Sequence, residues 1–277
     1  MNLSLSVRVA ESFSNKRVID IELPDLVRIA RDAGYLALCM RASMVGVHSP
    51  KERVLLVRRT LDDFGIEVSM VTGDFAVPEN GPEGPGCLRS IAPHLDLAET
   101  LKSDLIRVCP KTEADIPFAQ RAADKARERG IRLAHQSHTC SLFETVSGSL
   151  NVLQKIGRPN FGLIYEPANL ALCGEDYGPD ALCAFAPYLF NVYLQNHAPD
   201  PNGSKPMETW ALGEVMSTHR PLDEPGGIDF ARVFQGLKTI GYNGYITLHQ
   251  AFGGDLSPRE AAARSAAFLR SLIEKNF

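Results

Sequence analysis

Short apolar or β-branched runs alternate along the whole chain with longer segments whose apolar residues recur at three- and four-residue spacing. The short runs read as strands and the longer period as amphipathic helices, so the pattern predicts repeated βαβ units and a parallel sheet. The strands expected are Leu3–Val9, Tyr35–Met40, Ile66–Val71, Leu105–Cys109, Arg132–Gln136, Phe161–Glu166, Asn191–Gln195 and Tyr245–His249. Helices are expected over Leu26–Ala33, Arg53–Phe64, Ala114–Arg129, Ala231–Ile240 and Pro258–Lys275. A glycine at position 34, 65, 130 or 241 ends a helix just before a strand, the place for a left-handed cap, which puts these turns on the lower face of a barrel. Segments after the strands are longer and more polar: Gly73–Pro85, Pro167–Pro179 and above all His197–Gly227, which reads as a long loop. Loops in that position build the active site of a barrel. With no GxGxxG after the first strand and no P-loop, a doubly wound sheet falls behind, and eight units favour closure into a single (β/α)8 TIM barrel, one domain over residues 1–277.

Composition narrows the partners. Apolar residues at 44% and charged residues at 22% are ordinary globular usage, and the net charge of −4 argues against nucleic acid or an anionic membrane surface. A small neutral or anionic metabolite fits that balance better. Six cysteines are scattered without a CxxC pair, as reduced structural thiols would be. No run is apolar enough to span a bilayer and the first residues read as a strand rather than a signal peptide, so a cytoplasmic protein is expected; a homo-oligomer stays open.

The candidate chemistry lies where polar residues interrupt an apolar strand at its end. Strand five gives LAHQSH (Leu133–His138), strand six LIYEPAN (Leu163–Asn169), strand seven VYLQNH (Val192–His197) and strand eight YITLHQ (Tyr245–Gln250). Alternation of side chains means His135 and Gln136 cannot both point inward, whereas Gln136 with His138, or Gln195 with His197, can if the strand stays extended.

These segments, with the late stretch EPGGIDFARVFQGLKTIGYNGYITLHQ, resemble the xylose isomerase-like barrel superfamily of sugar isomerases and epimerases over nearly the whole chain. The resemblance implies a divalent cation, often manganese, on four strand-end side chains, here Gln136, Glu166, Gln195 and His249. Only Glu166 keeps an acidic ligand, and replacing carboxylates by amides removes most of the attraction for a hard cation, while histidines shift preference toward zinc. In the superfamily's epimerases two facing carboxylates act as acid and base; Gln136 and His249 occupy those positions, and an amide cannot shuttle protons.

Each residue also has a plainer reading. A carboxylate after an apolar strand needs a cation, a hydrogen-bond set or solvent, which marks Glu166 for the site. Gln136 and Gln195 equally serve as amides satisfying backbone groups. His138, His197 and His249 are candidate acid/base groups, with loop capping the alternative for the first two. Arg41, His48, Asn169 and Gln250 are the candidate substrate-binding residues, His48 being equally a surface residue. Glu144 reads as a first-turn helix acid, and Trp210 as a cover for the site or, better, a hydrophobic anchor. The leading expectation is a sugar isomerase or epimerase working by proton transfer next to a carbonyl. A lyase or dehydratase on an oxidised sugar or cyclitol is the second, and a non-catalytic sugar-binding barrel the third.

Overall fold

The computed structural model of the chain describes residues 1–12, 14–251 and 256–277. Eight parallel strands close into a barrel: β1 (Asn2–Ser6), β2 (Ala37–Arg41), β3 (Glu67–Thr72), β4 (Leu105–Arg107), β5 (Arg132–Gln136), β6 (Phe161–Tyr165), β7 (Leu189–Leu194) and, last in the chain, β11 (Tyr245–Leu248) beside β1. All eight strands match the expected ones within a few residues. The first differs most, because the Ser6 hydroxyl accepts from Arg8 N at 3.2 Å and caps a 3-10 turn over Val7–Ala10, which ends the strand early. The helices Leu23–Ala33 and Lys51–Phe64 end on Gly34 (φ 77°) and Gly65 (φ 64°), left-handed positions where a side chain would be strained.

The segments after the strands hold more structure than their polar sequences show. Short helices occupy Ala76–Glu79 and Pro167–Leu172. The stretch read as one long loop after strand seven forms a separate antiparallel sheet of β8 (His197–Pro199), β9 (Lys205–Thr209) and β10 (Gly213–His219), with β10 in the middle. Antiparallel pairing lets each short strand satisfy its backbone on a neighbour, which an open loop of that length could not do.

Two apolar clusters hold the molecule. The larger fills the space between barrel and helices, including Leu26, Val57, Ala123, Phe161, Phe234 and Leu269. The smaller lies inside the barrel and takes one residue from each of six strands: Cys39, Met70, Leu105, Ala134, Ile164 and Tyr193, all at most 1% exposed. This inner plug is the floor on which the site stands. No helix of the described residues is long and apolar enough to cross a membrane.

Candidate active site

A strand's side chains repeat on one face every second residue, so each member of the inner plug is followed by a residue that faces the barrel mouth. Two positions on from Cys39, Met70, Leu105, Ala134, Ile164 and Tyr193 stand Arg41, Thr72, Arg107, Gln136, Glu166 and Gln195. Two positions on from the buried Thr247 stands His249. One step along the strands thus replaces an apolar layer by a polar one, beneath a cavity of about 290 Å³. Arg41, Arg107, Gln136, Gln195 and His249 line this cavity, joined by Asn169 from the helix after β6 and by His138 and His197.

Glu166 is fully buried beneath the amides. Gln136, Gln195 and Asn169 (2.8 Å) all donate to its carboxyl oxygens. Burial penalises its charge more than those donors and the nearby Arg107 favour it, and its pKa rises to about 8. The cavity wall has the opposite character. Arg41 donates from Nε to Glu11 Oε1 at 2.7 Å, and Glu11 also takes the Ser43 hydroxyl at 2.6 Å. Arg8 lies 3.7 Å from the same carboxylate. Arg107 is 2% exposed, and its Nε and Nη2 have no hydrogen-bond partner among the described residues. Lys16 and Lys205 complete the basic wall at the rim; desolvation, then repulsion from Arg41, Arg8 and Arg107, brings Lys16 down to about 8.

The imidazoles are held neutral and oriented. His249 stacks on Tyr193 with ring centres 4.0 Å apart and binds Ser6 Oγ through Nδ1 at 2.9 Å, so Nε2 is the nitrogen left for a ligand. Burial, then Arg41 and Arg107, keep its pKa well below the usual value. His138 meets the Thr139 carbonyl through Nδ1 at 2.8 Å; a carbonyl only accepts, so Nδ1 carries the proton and Nε2 the lone pair. His197 Nε2 contacts Ser217 Oγ at 2.7 Å, and since that hydroxyl donates to Lys205 O, the imidazole is the donor. Burial lowers both to about 3.

Several expectations need correcting. Gln250 does not line the cavity: its Oε1 accepts from Asn196 N at 2.8 Å and its Nε2 donates to Arg220 O at 2.6 Å, so both ends serve backbone. His48 also lies outside it, exposed and stacked on Phe75 at 4.9 Å. His197 does line the cavity, but the strand does not stay extended beyond Leu194; the residue opens β8, where it stacks on His219 at 3.7 Å. Glu144 precedes the helix Val146–Ile156 and is 4% exposed; its carboxylate receives Cys140 N, Trp210 N (2.7 Å) and Ala211 N (2.9 Å), fastening the β9–β10 turn to the loop after β5. Trp210 is 56% exposed with Lys111 Nζ 5.3 Å from its ring centre, neither a cover for the cavity nor a buried anchor. His135 turns away from the barrel interior, as alternation requires, and gives Nδ1 to Val108 O at 2.8 Å.

Sequence reasoning missed Arg107, because the apolar Val108 and Cys109 that follow it hide the end of β4 at Arg107. Arg8, Glu11 and Lys16 come from the turn and loop after β1, and Lys205 and His219 from the appended sheet whose stretch reads as one long loop.

The sequence model of the xylose isomerase-like TIM barrel family matches residues 27–272. This chain belongs to that family. No curated protein matches it. Among solved xylose isomerase-like barrels and their kin, the probable 3-DHS dehydratase AsbF of Bacillus anthracis, involved in petrobactin synthesis, superposes with a TM-score of 0.72 at 16% identity over 98% of this chain and 99% of that one. The D-allulose 3-epimerase of Methylomonas sp., solved with D-allulose, gives 0.70 at 16% identity over 100% and 97%. A xylose isomerase-like TIM barrel protein from Mycobacterium smegmatis, in complex with magnesium, gives 0.71 at 14% identity over 99% and 97%. At these identities the likeness establishes the shared barrel.

The donor set in this chain fits a divalent cation poorly. The four implied positions offer one carboxyl, whose oxygens already accept from three amides, two amides and one imidazole. Among the described residues no three His, Cys, Asp or Glu converge on a point, and Arg41 and Arg107 add positive charge beside His249. Hard cations draw on carboxylate oxygen, and a positive wall opposes any of them.

Proposed function

We propose that this chain is an enzyme that isomerises a sugar derivative by moving a proton next to a carbonyl, with His249 as the base. The observation that carries this reading is the pairing, in one cavity, of an oriented neutral imidazole with an unpartnered guanidinium. His249 Nε2 takes the proton from the carbon beside the carbonyl. The electron pair moves onto the carbonyl oxygen, and Arg107 meets the developing oxyanion with N–H donors that have no other partner among the described residues. The hydroxyl proton on the carbon that lost its hydrogen passes to the former carbonyl oxygen, and return of the first proton by the same imidazole to the former carbonyl carbon leaves the carbonyl on the neighbouring carbon and completes the isomerisation.

Gln136 favours a second reading, elimination of water from an oxidised sugar. Epimerisation through two facing bases requires a group at that position that exchanges protons, whereas elimination needs one base and one polarising centre. The kinship with barrels that include an epimerase and a probable dehydratase supports both chemistries.

Aldoses, ketoses and oxidised sugars incubated with the protein in D2O and followed by proton NMR separate these readings. Isomerisation gives a rearranged sugar carrying solvent deuterium at the carbon that receives the proton, and elimination gives a dehydrated product. His249→Asn is expected to lower either rate by about 10²–10⁴-fold, while EDTA leaves it unchanged. A rate unaffected by His249→Asn sinks the assignment of the base, and binding without exchange or turnover across the panel leaves a sugar-binding barrel.

A further inference from the structure

We infer that the ligand of this cavity is not a neutral sugar but a sugar derivative bearing an oxyanion, a carboxylate or a phosphate, which pairs with the cationic wall of Arg107, Lys16 and Lys205. The inference builds on the proposed function and names its substrate class.

A buried guanidinium without a partner is strongly disfavoured, because it loses its water and gains nothing in return. Arg107 is in that position: it is 2% exposed, it lines the cavity, and two of its three nitrogens find no acceptor among the described residues. The other bases along the wall make the imbalance larger. Arg8 and Arg41 share the single carboxylate of Glu11, and Glu79, the acid that lines the cavity, is taken by Arg17, whose Nε lies 2.9 Å from Glu79 Oε1. Lys205 points at His219 Nε2, 3.1 Å away, a neutral acceptor. Arg107, Lys16 and Lys205 therefore face the cavity without a salt bridge to any acidic side chain among the described residues, and the carboxyl near Arg107, that of Glu166, is kept protonated by burial up to about pH 8. Hydroxyl groups do not call for uncompensated cations, and the amides of Gln136, Asn169 and Gln195 on the same wall suffice for them. An oxyanion supplies the missing charge, and a carboxylate or phosphate matches the two-pronged donor geometry of arginine. The chain as a whole is acidic at −4, so this cationic pocket is local rather than a consequence of bulk charge.

The test measures binding separately from turnover. Isothermal titration of the full chain with inorganic phosphate, glucose 6-phosphate and glucuronate, against glucose and fructose at matched ionic strength, is expected to show saturable binding of at least one oxyanion probe and none of the neutral sugars below about 10 mM. The probe that binds tells phosphate from carboxylate. Arg107→Gln should weaken it by at least about tenfold, Lys16→Gln by less, and Arg127→Gln on the outer surface not at all. Should Arg107→Gln fail to fold by circular dichroism, Lys16→Gln, which sits at the exposed rim, carries the test. Failure of every oxyanion probe to saturate, or affinity unchanged in both variants, overturns the inference. Oxyanion binding without turnover of any sugar acid or phosphate would instead count against the proposed reaction, and turnover of a neutral sugar indifferent to Arg107→Gln would remove both the anion and the oxyanion-stabilising role given to Arg107, leaving only His249 as the base.

Discussion

The inner plug and the mouth layer lie one repeat apart on the same strands, about 6.6 Å by strand geometry, yet they are opposite in kind. Cys39, Met70, Leu105, Ala134, Ile164 and Tyr193 pack against one another with almost no exposure. Arg41, Thr72, Arg107, Gln136, Glu166 and Gln195 are charged or polar, and several keep buried atoms without a partner among the described residues: Thr72 Oγ1, Gln136 Oε1 and two nitrogens of Arg107. Stability is concentrated in the lower layer and binding capacity in the upper one. An enzyme site needs groups whose interactions are completed by the ligand, and such groups cost stability until the ligand arrives.

Substitutions in the two layers should move stability in opposite directions. The largest effect is expected from Ile164→Ala, which empties a fully buried position of the plug and should lower unfolding free energy by about 2–5 kcal/mol in chemical denaturation. A loss below about 1 kcal/mol would show that the interior is less tightly packed than the cluster implies.

The next concerns pH. Glu166 has a folded pKa of about 8 against an ordinary value of 4.5. A raised folded pKa means that the native state holds the proton longer than the unfolded chain does. Its contribution is whole below about 4.5 and is lost as pH climbs toward 8, at up to about 1.4 kcal/mol per unit. Glu166→Gln removes that slope, so the stability of the variant relative to the native protein should grow between pH 5 and 8 and level off above. The reverse trend in thermal unfolding would mean that the carboxylate is ionised and its three amide donors outweigh its burial.

The smallest is Arg107→Met. Exchanging an unpartnered buried cation for an apolar side chain of similar length should stabilise the free protein by about 1 kcal/mol while abolishing oxyanion binding. A destabilised variant would show that Arg107 already has a structural partner, and the contrast between the layers would weaken.

The barrel was legible in the chain because its strands and helices carry periods of two and 3.6 that local sequence records directly, and Gly34 and Gly65 mark where helices must stop. The strand-end residues Gln136, Glu166, Gln195 and His249 were legible for the same reason, each being a polar interruption at the end of an apolar run. Arg107 escaped because Val108 and Cys109 continue the apolar run and make β4 seem longer than the three residues it has. Gln250 and Glu144 were misread because the partners that claim them, Asn196 and Arg220 in one case and the β9–β10 turn in the other, lie dozens of residues away.

What the sequence determined by itself is the set of local choices: which segments extend, which coil, and which polar residues stand at strand ends. The sign of the electric field in the cavity was decided only by the tertiary structure. Arg8 and Lys16, Arg41, Arg107 and Lys205 come from four separate stretches of an acidic chain, and only closure of the barrel brings their charges within reach of one another, where distance and burial, not composition, set the field.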